Sequence, residues 1–296
     1  MQGNPATSLT VWCPYTGKKL ARRLASSEHV IPLALGGCNE LTILVDSKCN
    51  SQFGAKIDGV LANDPLIMFR RSATGTKGHS GRQPLPRFKG TFEGRPAQVT
   101  FHPGQQSLPQ IWDAKTQRDV PESVVAGKDF GVQMTVERFS RLRFVAKVSL
   151  AAGYLIYGDL FRNNVKHAEP RLLAQTEDWM SIASRPIKTR FLDRFASPME
   201  QCAGKERDIQ LFCEATSWSL IVAVPTSQSL IISVGILGHF VGSLNIPAIK
   251  PNLFPRDGEH DLGHCLVCAN RRLRRLSLRK AIEKMLKELE NRPPAR

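Results

Sequence analysis

Apolar residues recur at 139, 142, 145, 148, 152 and 155 within TVERFSRLRFVAKVSLAAGYLIYGDLF, the spacing of one face of a long α-helix. The stripe reads as core rather than as a cofactor box. Arg138, Arg141, Arg143 and Lys147 fall between its members, as a solvated rim or a phosphate-facing edge would, and the pattern does not choose between the two. A different pattern fills residues 219–244, SLIVAVPTSQSLIISVGILGHFVGSL. Pro225, Thr226, Ser227, Gln228 and His239 divide it into pieces too short to cross a bilayer as a helix, so it reads as two buried strands joined by a turn. At the C-terminal end NRRLRRLSLRKAIEKMLKELENR predicts an amphipathic helix, with Leu278, Ile282, Met285 and Leu289 along one stripe and six cations between 271 and 280.

Between residues 72 and 109 six Gly and five Pro interrupt short alternating runs, which predicts a loop-rich stretch with a few edge strands. The pattern as a whole predicts an α+β chain in three parts. Residues 1–65 form a first unit, 66–128 a loop-rich β connector, and 129–296 a mixed sheet and helix region ending in a basic helix.

Composition sharpens this picture in two ways. The 296 residues carry 41 Lys and Arg against 26 Asp and Glu, a net charge of +15, which points to an anionic partner: nucleic acid first, an acidic membrane surface second. The seven cysteines are odd in number and form no disulfide framework. With no basic start and apolar run at the N-terminus, the expectation is a soluble protein of a reducing, cytoplasmic compartment.

The richest chemistry lies in SSEHVIPLALGGCNELTILVDSKCNSQFGAKID, residues 26–58. HVIPLALGG reads as a strand running into a loop broken by Pro32 and Gly36-Gly37, and LTILV (41–45) as a second strand. Asp46 or Ser47 can cap a helix that buries Cys49, Phe53 and Ile57 and leaves Asn50 at the edge of the buried face, aimed at the hairpin. Gly54 marks either a close backbone contact or an early helix end. Phosphodiester hydrolysis needs a base of near-neutral pKa and a cation to meet the charge on phosphate. His29 supplies the base; Glu28 and Asn50 supply the oxygen ligands that a hard cation prefers.

CPYTGKK…EHVIPLALGG…NELTIL…CNSQFGAKID, over roughly residues 13–58, resembles the HNH endonuclease family and its ββα-metal core. The resemblance implies His29 as general base, Asn39 as the brace of its loop, and Glu28 and Asn50 as metal ligands. The pattern is H-N-N rather than H-N-H. It implies a divalent cation, Mg²⁺ ahead of Mn²⁺, and a nucleic-acid substrate, DNA ahead of RNA. The role implied is defence, restriction or mobile-element biology. Many relatives carry two Cys-x-x-Cys pairs around a structural zinc. Here the corresponding positions are Cys13 and Thr16, Asp46 and Cys49, so a zinc is not expected and Cys13 and Cys49 become small core residues.

Weaker signals lie elsewhere. His260, Cys265 and Cys268 in HDLGHCLVCANRR have partial zinc-ligand spacing. Arg271, Arg272, Arg274 and Arg275 are candidate phosphate contacts, or else a solvated helix face. Lys56 and Asp58 either steady the site or form an ordinary ion pair. A binding protein whose HNH core has lost activity is the alternative to an enzyme.

Overall fold

The computed structural model describes residues 9–78, 80–102, 108–193, 195, 205–252, 254 and 258–290. They fall into two units, one built from Met1–Leu61 together with Arg138–Arg296, the other from Ala62–Glu137. The fold is α+β.

The first unit begins with an antiparallel pair, β1 (Thr10–Cys13) and β2 (Lys18–Ala21). A hairpin follows, β3 (Ala25–His29) against β4 (Thr42–Asp46), with His29 opposite Thr42 and Glu28 opposite Ile43. Helix α1 (Ser47–Phe53) starts at once, because the Asp46 carboxylate accepts the Cys49 amide at 2.9 Å and caps it. At Gly54 the helix widens into a π-helical turn, Gly54–Asp58, and continues as α2 (Gly59–Ala62). Gly54 has open space around it, so it marks the widening rather than a close contact.

The second unit holds α3 (Pro65–Ala73), β5 (Arg87–Phe92), β6 (Arg95–Thr100), β7 (Gln110–Asp113), β8 (Arg118–Asp119), α4 (Glu122–Val125) and β9 (Phe130–Val132). Its five strands form one antiparallel sheet in the order β8-β7-β6-β5-β9. Phe92, Ala97, Ile111 and Val125 make one core cluster, and Phe69 stacks on Phe88.

The chain then returns to the first unit through α5 (Arg138–Tyr157), α6 (Asp159–Asn164), α7 (Ala168–Gln175), α8 (Met180–Ala183), β10 (Arg190–Leu192) and α9 (Lys205–Ala215). Then come β11 (Ser219–Pro225), β12 (Ser229–Ile236), β13 (His239–Pro247), β14 (His264–Ala269), β15 (Arg272–Ser277) and α10 (Leu278–Glu290). Six strands form an antiparallel sheet, β10-β13-β12-β11-β14-β15. Helices α9 and α10 cover the face that carries Leu220, Val222, Phe240, Cys265 and Val267. Helix α5 packs on β12 and β13.

Three expectations need correction. Residues 219–244 span three strands, not two, because Leu237 and Gly238, at φ 50° and 76°, make a tight hairpin turn. Leucine gives no turn signal in sequence, which hides the break. Three of the four cations of α5 are neither rim nor phosphate edge, since every residue from Arg141 to Gly153 is buried, while Arg138 is exposed and pairs with Asp193 at 3.0 Å. Arg141 bonds His239 at 3.0 Å, Arg143 donates to the carbonyls of Ala174 and Lys56, and Lys147 is fully enclosed. The basic run is not helical at its start: Arg271 lies in a turn and Arg272–Ser277 form the edge strand β15, the helix beginning only at Leu278. Leu278 and Ala281 are buried and Met285 packs beside them, whereas Ile282 is exposed. The side chain of Leu289 lies outside the described residues.

The loop between β3 and β4 is fixed to this sheet. Ser219 Oγ donates to the Leu35 carbonyl at 2.6 Å and accepts the Leu237 amide at 3.0 Å. The Leu273 amide donates to the Glu40 carboxylate at 2.7 Å, and Cys38 Sγ lies 3.1 Å from Cys268 Sγ. Two glycines permit the approach. Gly36 is left-handed at φ 77°, and a Cβ on Gly37 would stand 1.8 Å from the Ile31 carbonyl oxygen.

Two alanine substitutions should therefore differ in sign. Gly37→Ala forces backbone against backbone and is expected to cost about 2–4 kcal/mol. Gly54→Ala, in right-handed helical geometry with open space, is expected to add about 0.5–1 kcal/mol. Denaturant midpoints of the two variants check both; equal shifts would contradict the packing described.

Candidate active site

Strand β3, β4 and helix α1 bring three of the sequence-predicted residues to one hairpin. His29 Nε2 lies 3.1 Å from Asn39 Oδ1. An amide oxygen only accepts, so Nε2 carries the proton and Nδ1 keeps its lone pair. Asn39 thus selects the imidazole tautomer as well as bracing the loop. Its own position follows from the neighbours on either side, Cys38 and Glu40, which meet the sheet through Cys268 and the Leu273 amide.

Asn50 points back at the hairpin. Its Nδ2 donates to Ser26 Oγ at 2.9 Å and to the Ser27 carbonyl at 3.1 Å. Those two acceptors fix the amide's orientation and leave Oδ1 without a partner among the described residues. Ser26 and Ser27 give no signal in the sequence.

Glu28 takes a different place from the one expected. Side chains alternate along a strand, so Glu28 and His29 leave β3 on opposite faces, and Glu28 is the buried one. Its Oε1 meets Lys147 Nζ from α5, and the Tyr15 hydroxyl donates to the same oxygen at 3.5 Å. Lys147 Nζ also donates to both oxygens of Asp58, at 2.8 and 2.7 Å, so the π-helical turn after α1 closes the cluster. Burial pushes the Asp58 carboxyl up to about 6, against the pull of Lys147 and with the help of Glu28. Burial alone would lower the Lys147 pKa, but Asp58 and Glu28 outweigh it and hold the ammonium above its ordinary value. The Tyr15 hydroxyl is raised by burial, then by Glu28 and Asp58. Sequence reasoning misses Lys147 and Tyr15. The available signal is a lone cation in VAKVSLAAG, where an otherwise apolar span implies a buried charge and hence an acid elsewhere. Lys56 pairs with exposed Glu177 at 2.6 Å, an ordinary surface bridge.

Members of the HNH family generally use a divalent cation. The donors here do not form a resident site for one. No group of three His, Cys, Asp or Glu is gathered for a metal among the described residues, and the single carboxylate of the motif is committed to Lys147. Asn50 Oδ1 is the available oxygen, and it is neutral. Glu28, expected as a metal ligand, here meets the Lys147 ammonium instead.

The partial zinc spacing dissolves for a related reason. Cys265 and Cys268 lie three apart on β14 and so face opposite sides of the sheet. Cys265 packs in the α9–α10 core, while Cys268 meets Cys38. His260 stacks on His264, ring centroids 4.2 Å apart, and burial with His260 and Arg275 lowers His264 to about 4. At the N-terminal positions Cys13 Sγ accepts the Asp46 amide at 3.3 Å, and Asp46 itself is the helix cap. Arg272, Arg274 and Arg275 are exposed on β15, flanking the Leu273 amide that holds Glu40.

The charge cluster gives a pH dependence. Between about pH 4 and pH 6 the folded Asp58 retains a proton that an unfolded aspartate, with a pKa of about 3.9, has lost. The folded state then binds more protons, so this site's contribution to stability grows as pH falls through that window. Glu28, Lys147 and Tyr15 are the titratable groups facing it. Relative to Asp58→Asn, the wild-type chain is expected to gain stability from pH 6 down to pH 4. Parallel melting curves across that range would contradict it.

A family model described as HNH endonuclease matches residues 13–66. No curated protein and no solved structure matches the chain. The matched residues contain the β3–β4 hairpin, α1 and every residue of the His29–Asn39–Asn50 arrangement, with the chain's later segments supplying only its supports. Residues 13–66 are thus similar to the HNH endonuclease family.

Proposed function

We propose that the protein is an endonuclease that hydrolyses phosphodiester bonds in nucleic acid, DNA ahead of RNA. The observation that carries the reading is the His29–Asn39 bond, which leaves Nδ1 free to take a proton from an attacking water. Asn39 then stabilises the imidazolium through the same Nε2–H. The exposed cations of β15, beside the loop that holds Asn39, are suited to phosphate contacts that fix the substrate without reading its sequence. The family's divalent requirement is retained as a property of the reaction, with Mg²⁺ ahead of Mn²⁺. A non-catalytic nucleic-acid-binding scaffold is the second reading, and the commitment of Glu28 to Lys147 is what favours it.

Among the described residues no helix is long and apolar enough to cross a membrane. Defence, restriction and mobile-element biology remain the roles proposed for such an enzyme.

His29→Ala is expected to lower plasmid cleavage by about 10²- to 10⁴-fold while DNA affinity at fixed salt stays near wild type. EDTA is expected to stop cleavage and Mg²⁺ or Mn²⁺ to restore it; restoration by Zn²⁺ alone would refute a hard-cation requirement. Wild-type cleavage by the alanine variant would remove His29 from the chemistry. Equal binding with no cleavage by either protein, under every cation, would favour the scaffold.

Replacing Arg271, Arg272, Arg274 and Arg275 together by Gln is expected to weaken DNA binding and to flatten its salt dependence. Each phosphate left without its arginine reduces the steepness of the log–log plot by about 0.9. An unchanged slope would return β15 to the status of a protected sheet edge, where cations discourage strand pairing.

A further inference from the structure

We propose that Lys147 is a positioning residue for the hydrolytic site, holding Glu28 as a buried counter-ion, and that Glu28 is not a metal ligand. The proposal rests on the nuclease reading above and adds a residue outside the matched family segment.

Three observations carry it. First, the Lys147 ammonium is fully enclosed, and its three N–H groups meet three carboxylate oxygens, two of Asp58 and one of Glu28. Withdrawing Glu28 towards a cation would strip a buried ammonium of one partner, an unfavourable step in a site closed to water. Second, alternation along β3 sends Glu28 to the face packed on α5 and His29 to the other. The carboxylate therefore faces the Lys147 ammonium while the imidazole faces Asn39. Third, α5 is itself immobilised where it holds Glu28. Arg143, one turn before Lys147, donates to the Lys56 carbonyl beyond α1 and to the Ala174 carbonyl of α7. The route from α5 to His29 is thus short: Lys147 fixes Glu28, Glu28 fixes the end of β3, and the next residue is the base.

Rates of plasmid cleavage against Mg²⁺ concentration, with kcat and KM for DNA, test this on the full chain. The variants are Glu28→Gln, which is nearly isosteric, Lys147→Met, and the two combined. Each single variant is expected to lower kcat by about tenfold or more, as removal of a residue that orients a site residue does. KM for DNA and the half-saturating Mg²⁺ concentration should stay within about twofold of wild type, a pattern that a general loss of fold would not give. The double variant should lose less than the product of the single losses, because both act through one ion pair.

A rise of about tenfold or more in half-saturating Mg²⁺ for Glu28→Gln would make Glu28 a ligand and overturn the proposal. So would losses that simply multiply. Should Lys147→Met fail to fold, the Mg²⁺ titration of Glu28→Gln decides alone. Absence of cleavage by the wild-type chain with any divalent cation would overturn the nuclease reading, and this proposal with it. That outcome is separable from the others because it is read before any variant is made.

Discussion

One ammonium group bridges what the family match covers and what it does not. Lys147 stands in the fully buried middle of α5, and its charge is met by two carboxylates from the N-terminal core. Burying a charge is tolerable only when its partners are in place. The cluster therefore makes the hairpin, the π-helical turn and α5 interdependent. Removing α5 would leave two buried carboxylates without their cation rather than a small gap. Burial, with a smaller push from Glu28, raises the Asp58 carboxyl to about 6, so the cluster takes up a proton at mildly acidic pH.

Around His29 the strand and its loop are held by hydrogen bonds. Asn39 takes the proton of His29 Nε2, Asn50 holds the strand through Ser26 and Ser27, and the sheet holds the loop through Ser219, Glu40 and Cys38. The division of labour is chemical. The buried face uses charge to fix the strand, and the accessible face keeps one imidazole nitrogen and one amide oxygen uncommitted.

Much of the candidate hairpin is legible in the sequence because its determinants are local. The acid-histidine pair, Pro32, the two glycines and the Asp46 cap all act within a few residues, and hairpin and helix follow from them. What stays hidden depends on pairing across the chain. Nothing near Glu28 announces a lysine roughly 120 residues on, and nothing near Asn39 announces Leu273. Periodicity also misleads where two periods compete. Arg271–Ser277 reads as helix because the helix that follows is strongly amphipathic, but Asn270 and Arg271 turn the chain in left-handed geometry and pair the run with β14. The Cys265–Cys268 spacing suits a metal knuckle only in a turn; on a strand it divides the two thiols.

The interrupted course of the first unit bears on how the protein is made. Its hairpin is synthesised early, the 62–137 unit comes next, and the lysine, the serine and the edge strand that complete the site are translated last. On the ribosome the histidine therefore emerges well before Lys147, an interval on the order of ten seconds at ordinary elongation rates. During that time Glu28 has no counter-ion and the Asn39 loop has no sheet to rest on. A chain cut short before α5 would carry the whole HNH motif without Lys147 or the sheet that holds the Asn39 loop. The candidate site is thus assembled only after α5 and the six-stranded sheet have followed the hairpin out of the ribosome.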